Sequence, residues 1–342
     1  MTAIGSIDPG ATTAQQAMAP SLLQVEGLAT QIESRGRMLR AVDTVSFDIR
    51  HGEILGLVGE SGCGKSMTAL SIMRLLPPAT TIASGSIRFN GRELTTLSKS
   101  EMRAIRGRDI SMVFQEPMTA LDPAFSIGTQ LTETIRAHER VSTSEARERA
   151  IAMLDRLGIA NAASRIDAYP HQFSGGMRQR VMLAQALILN PKLLLADEPT
   201  TALDVTIQAE ILDLLVQLQR DLGLGVLLIT HNLGVVHQVA DRVAVMYAGE
   251  IVEIGTRDEI FSDPQHPYTQ GLMRSMPYLS EKRERLFVIP GRVPELWNMP
   301  KACRFAQRCR NRIDRCVETH PELEKLSGDH ALRCYNPTKF TV

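Results

Sequence analysis

Net charge is the first thing this 342-residue chain lacks: 38 Lys and Arg stand against 38 Asp and Glu. Without a basic excess there is no long-range electrostatic pull toward nucleic acid or acidic lipid, so any polyanion site must be local. Long apolar runs are missing too. No stretch reaches the roughly 18 residues a helix needs to cross a bilayer, and the longest are interrupted by Gln185, Asn190, Asp197 and Glu198. The opening MTAIGSIDPGATTAQQAMAP has no Lys, no Arg and no apolar block of signal-peptide length, which argues against export. Residues 1–21 read as a solvated, disordered tail. A chain kept in the cytoplasm meets reducing conditions, so its five cysteines are not expected to form structural disulfides. There is no internal repeat and no low-complexity tract beyond the tail. What remains is an ordinary globular composition, 44% apolar and 22% charged, long enough for two domains and a substantial core.

From Leu22 the chain alternates apolar and polar residues in LLQVEGL and AVDTVSFDI, turns at His51-Gly52-Glu53, and enters the apolar run Ile54–Val58. Antiparallel strands leading into a parallel sheet are expected. A glycine-rich turn and a helix from about Lys65 come next, ending before Pro77 and Pro78, followed by strand-like SIRFNG and DISMVF. From about 117 to 190 the pattern is helical, with Ile151, Leu154 and Leu157 at helical spacing, and reads as an insert. Strand texture returns at Lys192–Ala196, Val226–Thr230 and Val243–Met246, with a helical stretch Gln208–Arg220 after the first. Strands alternating with helices predict an α/β fold. SDPQHPYT marks a boundary near 262, after which recurrent proline makes 262–342 read as a loop-rich appendage.

Three patterns carry chemistry. Gly59-Glu60-Ser61-Gly62-Cys63-Gly64-Lys65-Ser66, with Met67 continuing into the helix, fits the phosphate-loop pattern between a strand and a helix. Its glycines let backbone N–H groups wrap phosphates, Lys65 supplies a cation, and the Ser66 hydroxyl can ligate magnesium. Cys63 reads as a small tolerated side chain, although the helix terminus and Lys65 could lower its pKa. KLLLADEP is an apolar strand ending in two carboxylates: Asp197 can hold magnesium and Glu198 can polarise a water for in-line attack on a γ phosphate. Ser174-Gly175-Gly176, in FSGGMRQR, opens a helix whose N-terminus is a second anion site. Two such elements far apart in one chain suggest two chains sharing nucleotides.

These residues resemble the nucleotide-binding subunit of an ATP-binding cassette transporter, a P-loop NTPase built on a RecA-like parallel sheet with an antiparallel β subdomain and a helical insert. The resemblance spans about 22–261, with the helical subdomain at about 117–190. It implies that Glu198 is the catalytic base, assisted by His231 in LLITHN and Gln115 in VFQEP. It also implies Mg²⁺ at Ser66, Gln115 and Asp197, and a partner's ATP facing Ser174, Gly175, Gly176 and Asp204. The signature departs from the family in Phe173, where Leu is usual, a change that packing absorbs. The family's adenine-stacking aromatic is missing from RGRMLRAVD, leaving Leu39 or Arg40 to contact the base. A cassette acting on nucleic acid or ribosomes, the alternative, would carry two cassettes, a coiled-coil insert or a basic excess. None is visible, and no nucleic acid partner is expected.

HPYTQGLMRSMP and IPGRVPEL…CRFAQRC resemble the oligopeptide and dipeptide (peptide/nickel) branch of that family, with its C-terminal extension and four spaced cysteines. This implies a heterodimer with a sister ATPase, two transmembrane permease subunits touching the Gln115 loop and the insert, and an extracytoplasmic solute-binding protein. The place implied is the cytoplasmic face of the inner membrane, as a peripheral protein. For Cys303, Cys309, Cys316 and Cys334 three readings stand. Buried thiols suit poorly the basic surroundings of Lys301, Arg304, Arg308, Arg310, Arg312 and Arg315. Zinc prefers tighter Cys pairs. A 4Fe–4S cluster tolerates varied spacing, and its negative charge would be offset by these cations; alternatively they form a solvated face or touch anionic lipid. On this reading the segment is a staple or redox sensor away from the hydrolysis chemistry.

Overall fold

The computed structural model describes residues 21–115, 120–201, 203–276 and 287–340. The tail through residue 20 lies outside them, as do 116–119, where the sequence places the start of the insert. Ser21 belongs to no tail: it pairs with Arg50 in the first strand.

Strands β1 (Ser21–Ser34), β2 (Arg37–Arg50), β4 (Thr80–Phe89) and β5 (Arg92–Glu93) form an antiparallel sheet in the order β2-β1-β4-β5. Beside it stands the central sheet. Its β3 (Ile54–Val58), β6 (Ile110–Val113), β7 (Leu193–Asp197), β8 (Gly225–Thr230) and β9 (Arg242–Tyr247) run parallel in the order β9-β3-β8-β7-β6. These strands are predominantly apolar because both faces are covered. Successive side chains alternate between two cores, as a period of two requires. Ile54, Val58, Ala196, Leu228 and Val245 enter one with the helical insert; Leu55, Leu57, Leu195, Ile229 and Met246 enter the other with the antiparallel sheet.

Helix α1 (Lys65–Met73) follows β3, and α2 (Lys99–Ile105) precedes β6 under a Ser98–Glu101 capping box. The insert between β6 and β7 holds α3 (Ile127–His138), α4 (Thr143–Arg156), α5 (Ala162–Arg165) and α6 (Gly175–Leu187). Ser126, Ser142 and Ser174 cap α3, α4 and α6 by accepting an orphan N–H. After β7 come α7 (Val205–Leu222), α8 (Leu233–Val239), the antiparallel strand β10 (Glu250–Thr256) and α9 (Arg257–Ser262).

The last eighty residues are not an appendage. Helix α10 (Pro267–Arg274) seats Tyr268, fully buried, against Tyr247 with ring centroids 4.7 Å apart, and Phe305 packs edge-on to Tyr247 at 5.2 Å. After the short helix α11 (Arg315–Glu318), the hairpin β11 (Glu324–Ser327) and β12 (His330–Leu332) adds to β10, so the central sheet has eight strands among the described residues. The extension therefore completes both the core and the sheet.

Candidate nucleotide site

The loop from β3 to α1 is shaped by glycines that admit no replacement. A Cβ on Gly59 would fall 2.1 Å from the Met246 carbonyl oxygen, and one on Gly64, at φ +110°, would fall 2.7 Å from that of Ala41. Gly64 is the N-cap of α1 and offers no capping side chain, and the first turn carries no acidic residue. The helix thus presents its positive end and free N–H groups to the loop. Lys65, 5% exposed, curls back so that its Nζ donates to the carbonyls of Gly59 (2.8 Å) and Glu60 (3.2 Å). Cys63 is buried; burial raises its thiol pKa, outweighing the opposing charge of Lys65, so the lowering suggested by the sequence does not occur.

Adjacent parallel strands bring the other groups to the same edge of the sheet, at their carboxyl ends. Ser66 Oγ donates to Asp197 Oδ1 at 3.1 Å at the end of β7. Burial raises the Asp197 pKa, against the Ser66 hydrogen bond. Glu198 follows at φ +48°, a backbone region non-glycine residues seldom occupy and that collects at functional sites. Its N–H donates to Ile229 O at 2.9 Å, which fixes the turn. Its carboxylate then gathers three partners. Gln115 Nε2 (3.1 Å) and Thr201 Oγ1 (2.9 Å) donate to Oε2, and His231 Nδ1 lies 3.1 Å from Oε1. Burial pushes the Glu198 pKa up, but the His231 and Thr201 hydrogen bonds and the charges of His231 and Lys65 prevail and lower it. The carboxylate is thereby kept ionised.

Gln115 engages Glu198 through its Nε2, whereas its reading as a magnesium ligand concerns the amide Oε1. The hydroxyl and carboxylate of Ser66 and Asp197, in contact, are a hard oxygen donor set of the kind Mg²⁺ takes alongside phosphates and water.

Ser174 caps α6 by accepting from Met177 N at 3.4 Å, and Asp204 caps α7 by accepting from Ile207 N at 2.9 Å. The two helix starts abut, since a Cβ on Gly176 would meet Ile207 Cγ2 at 2.7 Å. Among the described residues no hydrogen bond or ion pair joins Ser174, Gly175 or Gly176 to the phosphate loop. Phe173 is buried in the insert core. Leu39 and the exposed Arg40 line a cleft of about 500 Å³ with Lys301 and Arg304 of the extension. The chain immediately after them runs past the loop, where Ala41 O faces Gly64.

Several residues at the site escape sequence reasoning. Thr201 carries no signal of its own. Tyr268 accepts the Glu60 N–H at 2.9 Å, and Arg308 NH1 donates to Glu60 Oε2 at 3.0 Å. These contacts correct the placement of the extension away from the hydrolysis chemistry. They also correct the reading of its cations. Arg304 and Arg308 are each 8% exposed, and Arg304 pairs with Asp43 and with Glu250 (3.2 Å). Lys301, Arg310, Arg312 and Arg315 do face solvent.

Cys303, Cys309, Cys316 and Cys334 converge. Cys303 N donates to Cys316 O at 3.1 Å, and Cys334 feels the other three thiols electrostatically. Burial raises Cys303 to about 11, Cys334 to about 12 and Cys309 in the same direction. Among the described residues no three His, Cys, Asp or Glu side chains are grouped so as to hold one metal ion.

A parallel sheet whose strand ends gather a phosphate loop, a Ser–Asp pair and a triply held glutamate is that of a P-loop nucleoside triphosphatase. Residues 42–201 match the ABC transporter family model, and 252–316 match the model for the oligopeptide/dipeptide transporter C-terminal region. The dipeptide transport ATP-binding protein DppD of Bacillus subtilis is 51% identical over 92% of this chain and 94% of its own. The oligopeptide transport ATP-binding protein OppD of the same organism is 49% identical over 92% and 88%. The dimeric post-hydrolysis structure of the ATP-binding cassette MJ0796, bound to ADP and Pi, superposes with a TM-score of 0.62 at 27% identity, covering 69% of this chain and 98% of that one. The cbiO1 structure of Clostridium perfringens gives 0.61 at 28% identity, covering 71% and 91%. The chain belongs to the ATP-binding subunits of ABC transporters, and its activity is that of an ATPase.

Proposed function

We propose that this subunit powers import of peptides, or of a related small solute, with Glu198 as the general base that activates water for attack on the γ phosphate of ATP. The observation that carries the reading is the Glu198 carboxylate: ionised, pinned by Gln115, Thr201 and His231, and one residue from the Ser66–Asp197 pair. His231 and the phosphate-loop donors steady the developing charge on the γ phosphate. Ser66, Asp197 and the Gln115 amide oxygen would hold Mg²⁺, which supplies charge neutralisation on the phosphates. The names of the similar proteins, peptide transport ATP-binding subunits, support the solute class.

The nucleotide contacts are assigned to Gly59–Met67, with Leu39 and Arg40 toward the base. Ser174, Gly175, Gly176 and Asp204 face the nucleotide of a second cassette, a sister ATPase. This head-to-tail arrangement is supported by a second helix N-terminus, opened by Ser-Gly-Gly, that among the described residues has no hydrogen bond or ion pair to the chain's own phosphate loop. An apolar groove of about 240 Å³ lined by Met73, Leu75, Met112, Phe114 and Met182 lies beside Gln115, and Phe114 is 40% exposed. It suits contact with the two permease subunits, and through them with an extracytoplasmic binding protein, at the cytoplasmic face of the inner membrane.

Cys303, Cys309, Cys316 and Cys334 are proposed to ligate a 4Fe–4S cluster, which takes four thiolates and spans more space than one ion. Equal iron and sulfide in protein prepared without oxygen supports this; zinc in their place refutes it.

Glu198→Gln in the assembled importer should cut ATP turnover about 10²-fold or more, the worth of a general base. Labelled dipeptide uptake into vesicles should fall with it while MgATP still binds. Normal hydrolysis by the variant would remove Glu198 from the role.

A further inference from the structure

The extension grips residue 60 of the phosphate loop at both its backbone and its side chain. Tyr268 Oη accepts the Glu60 N–H at 2.9 Å. The Arg308 guanidinium pairs with the carboxylate: Nη1 donates to Oε2 at 3.0 Å, while Nη2 lies 3.0 Å from Oε1 as an ion pair and donates instead to Ile289 O at 3.4 Å, leaving Oε1 buried without a hydrogen bond. Arg308 is itself held from behind, its Nε donating to Pro290 O at 2.9 Å, and its side chain is only 5% exposed. On the other side of residue 60, its carbonyl accepts from Lys65 Nζ. A continuous line of contacts therefore runs from the extension through Glu60 to the lysine of the loop. A carboxylate inside a phosphate loop is electrostatically adverse to a polyphosphate, and Arg308 is the cation that neutralises it.

We propose that Arg308 is a positioning residue for the nucleotide: it cancels the Glu60 charge and fixes the phosphate loop, making nucleotide affinity depend on the C-terminal extension. The inference rests on the reading of Gly59–Met67 as the nucleotide site. Cys309 follows Arg308 in the chain, so the four-cysteine segment and the Glu60 contact are joined through adjacent residues.

The full-length chain with Arg308→Gln leaves a bare carboxylate in the loop. MgADP affinity by calorimetry and the KM for ATP should each worsen about tenfold, with kcat within about threefold because Arg308 touches no reacting atom. Arg308→Lys, which keeps the charge but not the planar guanidinium, should recover part of the loss. Adding Glu60→Gln to Arg308→Gln removes the uncompensated charge, and the Tyr268 bond still holds the backbone. The double variant should bind MgADP at least about threefold more tightly than Arg308→Gln, coupling that a mere staple would not produce. A dissociation constant for Arg308→Gln within about twofold of wild type, or a double variant no better than the single, overturns the proposal while leaving the nucleotide site intact. Wild-type protein that fails to bind MgADP overturns the site reading, and this inference with it. Should Arg308→Gln not fold, Glu60→Gln with Arg308→Lys carries the same cycle.

Discussion

Charge and burial act through single side chains here, and His266 shows how. It is wholly buried, and its Nδ1 accepts the Tyr268 N–H at 3.0 Å to cap α10, so the ring is required in its neutral form. Burial pushes its pKa down to about 4, against the nearby Glu253 charge. An unfolded histidine near 6.5 binds a proton that the folded one refuses, so between about 6.5 and 4 the unfolded state holds more protons and stability falls as pH falls. The full effect, from a shift of 6.5 to about 4, is on the order of 3 kcal/mol. His330, raised by its hydrogen bond to Glu253, acts in the opposite sense: its contribution is present at low pH and lost as pH rises through its folded pKa. His266→Asn keeps a capping acceptor and removes the titration. Its melting temperature should decline less than that of wild type between pH 6.5 and pH 4.5; identical slopes would exclude His266 as the sensitive group. Nothing in HPYTQG announces this role, because a capping, buried histidine differs from an exposed one only in what packs around it.

Among the elements, the helix starts bear most of the function. Asp204 opens α7, the eighteen-residue Val205–Leu222, and satisfies an N–H its first turn cannot bond internally. Asp204→Ala should lower stability by about 1 kcal/mol, read from the urea midpoint, whereas Asp204→Asn, an equally good cap, should cost little. Equal losses would mean that charge, and not the cap, matters. The elements themselves were legible. The Ile54–Val58 run, the glycine-rich turn, the Lys192–Ala196 strand and the helical insert all show in residue period and turn chemistry, which are local. The hairpin Glu324–Leu332 was not, since short exposed strands such as β11 form only where an edge strand is available to pair with them.

At the scale of the whole molecule, the extension, the antiparallel sheet and the ATP loop are one body joined by buried charges. Arg304 reaches Asp43 of β2 and Glu250 of β10 at once, and the side chain of Glu250 is 3% exposed. Arg304→Ala strips that cation from two carboxylates. It should cost about 3 kcal/mol, the low end for breaking a buried pair, because Arg40 and His320 still face them. A loss below about 1 kcal/mol in urea denaturation would show the pairs to be solvated. The sequence by itself determined the class of fold, the phosphate loop, the paired carboxylates and the order of the motifs. Each of these depends on neighbours along the chain and on chemistry that few residue types can perform. Only the tertiary structure decided that Gln115, Thr201 and His231 converge on Glu198, and that Arg304 and Arg308, read as offsetting a cluster's charge or forming a solvated face, are buried against Asp43 and Glu60. A basic residue in a polar segment looks the same whether it meets water or a carboxylate, and pairs far apart in the chain are made by packing alone.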